Sequence, residues 1–383
     1  MFCHFDLDIP QPNFKDKIVA DIIELEKLRG NQINPGVNRK IFNQLKQVFH
    51  LVESLYSARI EGNRTTISDY VQDKTEGKTE AQTFKEIENI ETALRFIDRC
   101  FRENPEQSIN KSFLCTLHKI LSNELSPEKE GSRSPGTYRL GNVSISRSEH
   151  KPPLSIKVQD YMDELIDFIN RPADLQDELL RVAVAHHRLV WIHPFDNGNG
   201  RMSRVLTYAM LKKAKFDKIS LLNTAAIFCI NREQYFENLA KADTGSKEGI
   251  LDWCRFVLSG LLSELTKLRK LLDSDFFRHC ILKPAVDYTI TNGLISPEEG
   301  RILNLSINAP DNLIMAKDIG DVLNNKTSRQ ITYITTKMLE NELLQRENKN
   351  SRKYLINIMQ KHILRGIIEN LSKEGFTQHL EHI

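Results

Sequence analysis

The chain has 383 residues, of which 40% are hydrophobic and 27% are charged. This composition is typical of a folded globular protein and excludes a fibrous or intrinsically disordered chain. The formal net charge of +2 gives no overall attraction to nucleic acid or to a membrane surface.

The apolar runs and the cysteines indicate more closely which class of protein this is. No apolar run approaches the roughly 20 residues that cross a bilayer. The first six residues, MFCHFD, lack the basic region and the hydrophobic core of a signal peptide. The six cysteines are scattered, without the paired spacing of a zinc site or a redox motif. We therefore expect a cytoplasmic protein without a membrane partner.

Helical periodicity dominates the first third of the chain. Apolar side chains recur at three- and four-residue intervals over 14–29 and 38–61, which predicts two helices. Further helices are expected near 65–75, 81–103 and 109–123. The sequence is thus that of a mainly α protein in this region.

The helix predicted over 38–61 ends in a short polar pattern, SARIEG. Ser57 and Glu61 lie four residues apart and therefore share one helix face, and Gly62 suits a left-handed helix cap. By itself, this pattern is also typical of an ordinary helix end with a solvated glutamate.

A hairpin signal follows a polar stretch in the middle of the chain. Residues 136–146 alternate apolar and polar side chains around Gly141 and Asn142, which predicts a short β-hairpin. Helices over about 157–170 and 174–191 are expected next.

The twelve residues from His193 to Arg204, HPFDNGNGRMSR, are the most informative stretch. A glycine-rich turn leads into an amphipathic helix expected over 201–213. The start of a helix presents unpaired N–H groups and the positive end of its dipole, and glycine lets a phosphate approach the main chain. This stretch therefore predicts an anion-binding site.

Three charged or titratable side chains complete that prediction. Arg201 and Arg204 are three residues apart, so both guanidinium groups can face the same phosphate oxygens. His193 at the mouth of the turn is suited to take a proton from a nucleophile that attacks a bound phosphate. We therefore predict a nucleotide-handling active site.

The same stretch resembles the signature of the Fic family, H-P-F-x-[D/E]-G-N-G-R-x-x-R, and departs from it at one specified position. Most Fic proteins transfer AMP from ATP to a hydroxyl side chain of a target protein. The resemblance implies a Fic-type helical bundle with a small β-hairpin flap. Gly200, where the related Doc toxins carry lysine, favours AMP transfer over phosphorylation.

The resemblance also implies a role for each matching residue. His193 is expected to be the general base, and Phe195 is expected to anchor the loop in the core. Arg204 is expected to position the γ-phosphate of ATP. The residues expected to bind the nucleotide are Asn197, Gly198, Asn199, Gly200, Arg201 and Arg204.

The departure from the signature is Asn197, which stands where the family has Asp or Glu holding magnesium. An amide oxygen can ligate Mg²⁺ but brings no negative charge, and magnesium sites usually contain one or two carboxylates. We therefore predict Mg as a cofactor, with Asn197 as a weak metal ligand. Asp196 occupies the variable position and is expected to point elsewhere.

Two segments outside the signature match further patterns of the family. Ser57 and Glu61 match the inhibitory pattern [S/T]-x-x-x-E-[G/N], which implies a salt bridge from Glu61 to Arg204 that blocks the γ-phosphate site. The hairpin over 136–146 corresponds to the flap, which pairs with an extended segment of the target. The flap residues expected to contact the target are Val143, Ser144 and Ile145.

The character of the sequence changes beyond residue 275. Ser296 and the following Pro-Glu-Glu form a helix start, and helices over 315–323 and 328–343 precede a polar turn over 346–353. This order resembles a winged helix-turn-helix domain, which is appended to many Fic proteins. Basic residues in the turn suit contacts to phosphate, so DNA binding and protein docking both stay open. They are Arg346, Lys349, Arg352 and Lys353.

The sequence therefore predicts three regions and one principal function. The regions are an N-terminal helical part (1–100) with the inhibitory helix at about 45–62, a Fic catalytic core (101–272) and a winged helix-like domain (275–365). The function is autoinhibited transfer of AMP from ATP to a Ser, Thr or Tyr hydroxyl of a target protein, and of the enzyme itself.

Two alternatives stay open at this stage. One is a DNA-binding regulator whose Fic domain senses nucleotide, and Asn197 is the feature that favours it. The other is a Fic enzyme that removes AMP from a target, with Glu61 activating water. The target protein, the activating signal and the oligomeric state, including a homodimer, are not determined by the sequence.

Overall fold

The computed structural model describes residues 4–30, 38–76, 81–145, 148–172, 174–216, 221–324 and 326–377. These residues are mainly helical and include one small three-stranded sheet, so the predicted mainly α class is confirmed. They form two compact units. One unit spans 1–32, 50–65 and 79–266, and the other spans 33–49, 66–78 and 267–383.

The helices follow the predicted order closely. In chain order they are α1 (Lys17–Gly30), α2 (Arg39–Ile60), α3 (Ile67–Glu76), α4 (Gln82–Glu103), α5 (Lys111–Leu121), α6 (Val158–Asn170), α7 (Leu175–Ile192), α8 (Asn199–Lys213), α9 (Thr224–Ile230), α10 (Arg232–Ala242), α11 (Lys247–Leu271), α12 (Ser274–Phe276), α13 (Lys283–Thr291), α14 (Pro297–Asn308), α15 (Ala316–Val322), α16 (Ser328–Glu340) and α17 (Lys361–Lys373). Short 3₁₀ turns occur at Ser155–Lys157 and Pro310–Asn312, and a π-helix at Phe277–Leu282. No helix among the described ranges is long and apolar enough to cross a membrane.

Helix α8 lies in the core of the first unit. It packs against α4, α5, α7 and α9, and nearly all of its residues are buried, including Arg201, Arg204 and Lys212. The predicted helix was amphipathic and began at 201, whereas α8 begins at Asn199 and is enclosed on almost every side. Burying arginines on a central helix is costly unless they are paired. The groups that pair with Arg201 and Arg204 therefore define the candidate active site.

The second unit contains the sheet and the helices around it. After α14 come strand β1 (Ile314–Met315), α15, α16, strand β2 (Leu344–Arg346) and strand β3 (Lys353–Ile356). The strands are antiparallel in the order β1-β3-β2, with Ile314 opposite Tyr354 and Leu344 opposite Ile356. Helix α17 packs against α13.

The ends of these helices have identifiable causes. Ser296 caps the start of α14, as the sequence predicts, and Glu299 completes a capping box with it. Helix α16 ends at Glu340, three residues before the predicted end. The reason is Glu342, whose φ of 58° is left-handed and cannot continue a right-handed helix.

The β-hairpin predicted over 136–146 is wrong as a pair of strands. Over the described residues 136–145 the chain forms turns and irregular extended backbone without a ladder, and Ser146 lies outside the described residues. The physical reason is Arg139, whose backbone N–H donates to Pro194 O (2.8 Å) instead of to an opposing strand.

Candidate active site

The loop between α7 and α8, residues 193–198, has a left-handed residue at each end and is called the signature loop below. His193 follows α7 with φ 52°, and its N–H donates to Leu189 O. Gly198 has φ 75° and directly precedes α8. A non-glycine residue at positive φ is uncommon and persists only where its surroundings hold it. The chain thus reverses and directs the N–H groups of the first turn of α8 at the site.

The imidazole of His193 has one nitrogen engaged. Its Nδ1 lies 3.2 Å from Val190 O and donates to that carbonyl. Burial lowers the pKa of His193 to about 4, despite the hydrogen bond to Val190, and the positive charge of Arg139 lowers it as well. The ring is therefore neutral near pH 7, with the Nε2 lone pair left to accept a proton.

Phe195 and Asn199 hold the loop in shape. Phe195 is fully buried, as expected for the loop anchor. The Asn199 side chain accepts from Phe195 N–H (3.0 Å) and donates to Phe195 O (2.9 Å). One buried amide thus satisfies both backbone groups of the anchor residue, which makes Asn199 a structural element of the cradle.

His118, on α5, is a loop contact that the sequence reasoning missed. Its ring stacks on Phe195 at 3.8 Å with an interplanar angle of 8°. Its Nε2 donates to Asn197 O (3.0 Å), and its Nδ1 accepts from Gly136 N–H (2.8 Å). Burial lowers the pKa of His118 to about 4, which keeps the Nδ1 acceptor unprotonated. His118 therefore joins the signature loop to the segment that begins at Gly136.

Asn197 and Asp196 both face the loop over 129–133. The Asn197 amide donates to Lys129 O (2.8 Å) and Gly131 O (3.0 Å), and its oxygen accepts from Gly198 N–H (2.7 Å). Asp196 accepts from the Ser132 hydroxyl (2.5 Å) and from the N–H of residue 133 (2.7 Å). Both side chains are used to fix the loop.

These contacts do not fit a magnesium site built from side chains. The Asn197 oxygen is already an acceptor for the main chain, and Asp196 points elsewhere. Within the described ranges, no group of three or more His, Cys, Asp or Glu side chains is arranged to hold a metal ion. A hard cation such as Mg²⁺ prefers oxygen ligands in near-octahedral geometry, and this arrangement does not supply them.

Arg204 is almost completely buried and is held by the end of α2. Its Nε donates to Ser57 Oγ (2.8 Å), and its Nη2 donates to Ser57 O (3.2 Å) and to Glu61 Oε1 (2.6 Å). Burial raises the pKa of Glu61, but the charge of Arg204 outweighs it, so the pKa lies below its usual value. The two residues named in the inhibitory pattern therefore both contact Arg204, and Glu61 is ionised at neutral pH.

Arg201 is also buried and also meets acidic residues. Its Nη2 donates to Glu130 O (2.5 Å) and to Glu130 Oε2 (3.2 Å). Its Nε lies 3.7 Å from Glu86 Oε1, a buried carboxyl on α4. Within the described ranges, Nε and Nη1 of Arg201 have no hydrogen-bond partner. Unpartnered buried donors are costly, and an anionic ligand would satisfy them.

The segment expected to form the flap is anchored by Arg139. Its guanidinium donates to the carbonyls of His193 (2.8 Å), Gly141 (2.9 Å) and Pro153 (2.6 Å). Among the expected flap residues, Ser144 is exposed, and Val143 and Ile145 are half-buried. The segment thus has an exposed residue at its tip, while its base is fastened to the signature loop.

Glu86, Glu130 and His118 were not identified from the sequence. Their contacts join residues that are 71 to 115 positions apart, and no local spacing marks such pairs. His118 also lies among Leu114, Leu117 and Leu121 on the buried face of α5, where a histidine looks like an ordinary core residue.

The chain is similar to known proteins. Residues 108–211 match the model of the Fic/DOC family. Protein adenylyltransferase Fic of Nematostella vectensis is 28% identical over 208 residues, which are 53% of this chain and 44% of that protein. Protein adenylyltransferase fic-1 of Caenorhabditis elegans is 24% identical over 161 residues, which are 42% of this chain and 29% of that protein.

A solved structure shows the same fold. A Fic family protein from Desulfovibrio desulfuricans G20 aligns with a TM-score of 0.55 at 17% identity, over 91% of this chain and 98% of that one. The fold of this chain is therefore a helical fold of the Fic type. The similarity to the Fic/DOC family covers residues 108–211. The chain spans less than half the length of the two curated relatives.

Proposed function

We propose that this chain is a protein adenylyltransferase, which moves AMP from ATP to a Ser, Thr or Tyr hydroxyl of a target protein or of itself. The observation that carries the proposal is the neutral His193, with Nε2 available, in a loop that leads to buried Arg201 and Arg204 on the first turns of α8. The names of the relatives support the same activity.

The reaction needs a base and a cradle for negative charge. The Nε2 atom of His193 accepts the proton of the target hydroxyl as its oxygen attacks the α-phosphorus of ATP. The bond from the α-phosphorus to the oxygen bridging to the β-phosphate breaks, and pyrophosphate leaves. The N–H groups at the start of α8 and the two arginines stabilise the charge that develops on the phosphates. Any magnesium would be bound by the phosphates of ATP, as their counter-ion.

We further propose that Glu61 keeps the enzyme inactive at rest. Its carboxylate occupies the Arg204 guanidinium at 2.6 Å, and that guanidinium is the expected partner of the γ-phosphate. Ser57 takes two further contacts of Arg204, so the arginine has little left to offer a nucleotide. Displacing Glu61 is then the step that permits productive binding.

The segment over 143–145 is the proposed docking edge for the target. Its exposed Ser144 and the anchoring of its base by Arg139 suit the addition of an extended peptide through main-chain hydrogen bonds. Such pairing depends little on side chains, which would permit several target sequences.

The test is incubation with α-labelled ATP and magnesium. We expect weak self-labelling of the wild type, stronger labelling of Glu61→Gly, and none of His193→Ala in the Glu61→Gly background. His279→Ala, an exposed histidine in the other unit, is the matched control and should label like its parent. The transferase proposal fails if Glu61→Gly binds ATP but labels no protein in a lysate. Release of AMP from labelled protein on further incubation would instead favour the removal reaction.

We also propose that residues 297–356 form a winged helix module. The order α14-β1-α15-α16-β2-β3 with a β1-β3-β2 sheet supports this, and the turn between β2 and β3 is basic. Arg346, Lys349, Arg352 and Lys353 are all exposed there, which suits phosphate contacts. Binding of genomic DNA fragments at moderate salt tests the DNA alternative. Loss of binding in Arg352→Glu would support it, and no binding by the wild type would remove it.

A further inference from the structure

Glu86 is a second carboxyl beside the arginine pair, and the proposed reaction does not use it. It lies on α4 and is 2% exposed. Its Oε2 accepts from Asn63 Nδ2 (2.9 Å), two residues after Glu61. Its Oε1 lies 3.7 Å from Arg201 Nε and has no hydrogen-bond partner within the described ranges. One oxygen is thus bound to the segment that carries Glu61, while the other only faces Arg201.

The edge of the Arg201 guanidinium that faces Glu86 also lacks hydrogen-bond partners among the described residues. Its Nε and Nη1 are buried and lack hydrogen-bond partners in the described part of the chain, whereas its Nη2 is held by Glu130. An Arg–carboxylate contact at 3.7 Å is a charge interaction without the geometry of a hydrogen bond. The unsatisfied atoms of the arginine and of the carboxyl therefore meet at the place where the proposed nucleotide phosphate binds.

The charges around Glu86 are closely balanced. Arg201 and Arg204 supply two positive charges, and Glu61 and Glu130 supply two negative ones besides Glu86 itself. Burial raises the pKa of Glu86 to about 7; Arg201 and the hydrogen bond from Asn63 oppose this, and Glu130 and Glu61 add to it. A nucleotide brings several negative charges to the same arginines, so it disfavours an ionised carboxyl there.

We propose that Glu86 is a positioning residue with a changing charge: a carboxylate that faces Arg201 and balances its charge in the resting protein, and a carboxylic acid when a nucleotide phosphate occupies the site. This inference rests on the proposed function. The Glu86 carboxylate then takes up a proton when the nucleotide binds. Through Asn63, the same carboxyl also connects Arg201 to the segment that must move when Glu61 leaves Arg204.

Proton uptake by Glu86 determines how the affinity for ATP changes with pH. Because binding favours the protonated form, affinity is greatest at low pH and falls as the pH rises through the pKa of Glu86 in the free site. That pKa is about 7 with Glu61 present and is lower in Glu61→Gly, because the charge of Glu61 helps to raise it. For the uptake of up to one proton, we expect the dissociation constant to rise about fivefold or more between pH 6 and pH 8 through this group alone. ATP itself titrates in the same range, so the effect must be measured as a ratio between variants.

The experiment compares ATP binding by full-length Glu61→Gly and by Glu61→Gly with Glu86→Gln, from pH 6 to pH 8. Glutamine keeps an acceptor for Asn63 but carries no charge. We expect similar affinities at pH 6 and tighter binding by the glutamine variant at pH 8. A parallel pair with Glu130→Gln is the matched control, because that carboxylate also contacts Arg201 but is 42% exposed, and its ratio should stay constant.

Two outcomes separate this inference from the proposed function. If both proteins bind ATP with a ratio that does not change with pH, the inference about Glu86 is wrong and the nucleotide site stands. If neither binds ATP at any pH, the proposed function fails with it. Calorimetry of Glu61→Gly in two buffers of different ionisation enthalpy provides a measurement that needs no substitution at Glu86, provided that the ligand is the magnesium complex of ATP, whose γ-phosphate stays ionised between pH 6 and pH 8. Proton uptake near pH 7 is expected there, and its absence would overturn the inference even if Glu86→Gln does not fold.

Discussion

The Oε1 atom of Glu61 lies directly over Gly200, so close that a Cβ on the glycine would come within 2.2 Å of it. The same Cβ would lie 3.1 Å from Arg204 Nη1. The carboxylate therefore rests on the bare main chain at the start of α8, where a phosphate oxygen of the proposed substrate would bind. Both the Glu61 carboxylate and a bound phosphate would need a glycine at position 200, because a side chain there would fill the space that they occupy.

The first prediction concerns that glycine. In the Glu61→Gly background, Gly200→Ala should weaken ATP binding at least about tenfold, which is ~1.4 kcal/mol, because the methyl group fills the space that the phosphate needs. Isothermal titration of ATP measures this. Gly141→Ala is the matched control, since a Cβ at that glycine would have no heavy atom within 4 Å. Equal affinities for the two alanine variants would contradict the placement of the phosphate at Gly200.

The second prediction concerns the departure from the family signature. Asn197→Asp introduces the carboxylate of the Fic signature. It also removes the amide group that donates to Lys129 O and Gly131 O, and it places a negative charge next to those two carbonyl oxygens. We expect a loss of about 1–3 kcal/mol in the free energy of unfolding and no gain in labelling. Urea denaturation and the labelling assay measure the two effects. A large gain in magnesium-dependent labelling without loss of stability would show that the side chain turns to bind metal instead.

The third prediction concerns the amide that holds the loop. Asn199→Ala leaves the buried N–H and C=O of Phe195 without their partner. An unsatisfied buried group costs about 1–3 kcal/mol, so we expect a loss of about 2–4 kcal/mol in the free energy of unfolding. Asn308→Ala, at an exposed position on α14, should change it by less than about 0.5 kcal/mol. Similar unfolding midpoints for the two variants would argue against the bracing role of Asn199.

The fourth prediction concerns the base of the proposed flap. Arg139→Lys keeps the charge but cannot bridge three carbonyls, because an ammonium lacks the planar fork of a guanidinium. We expect labelling of target proteins to fall several-fold in the Glu61→Gly background, with the affinity for ATP nearly unchanged. Arg133→Lys, at an exposed position, serves as the control. A parallel loss of ATP affinity would show that Arg139 acts on the nucleotide loop and not on the target.

The prediction of this site from the sequence rests on local information. The signature spans twelve consecutive residues, and its glycines and helix start indicate a phosphate cradle without knowledge of the fold. Helix starts such as Ser296 are also local, since the cap and the glutamate three residues later form a recognisable pair. The relation of Glu61 to Arg204 came from the family resemblance, because the two residues are 143 positions apart.

Long-range contacts account for what the sequence did not predict. The alternation over 136–146 is that of a hairpin, but the backbone of Arg139 bonds to Pro194, which no pattern within the segment indicates. The acids that contact Arg201 likewise come from α4 and from the loop before the flap. Two residues that meet only after folding leave no periodic signal, so their partnership becomes visible only in coordinates.

The contact between Glu61 and Arg204 has a quantitative consequence for the proposed enzyme. Glu61 keeps 32% of its side chain exposed, and a hydrogen bond between charged groups contributes about 1.5–3 kcal/mol. A difference of ~2 kcal/mol leaves a few per cent of molecules in the open state at any moment. If the proposed activity is correct, the resting protein should therefore show a low but steady basal turnover. A weakly bound effector is enough to activate it fully, provided that it binds the open form about a thousandfold more tightly than the closed one.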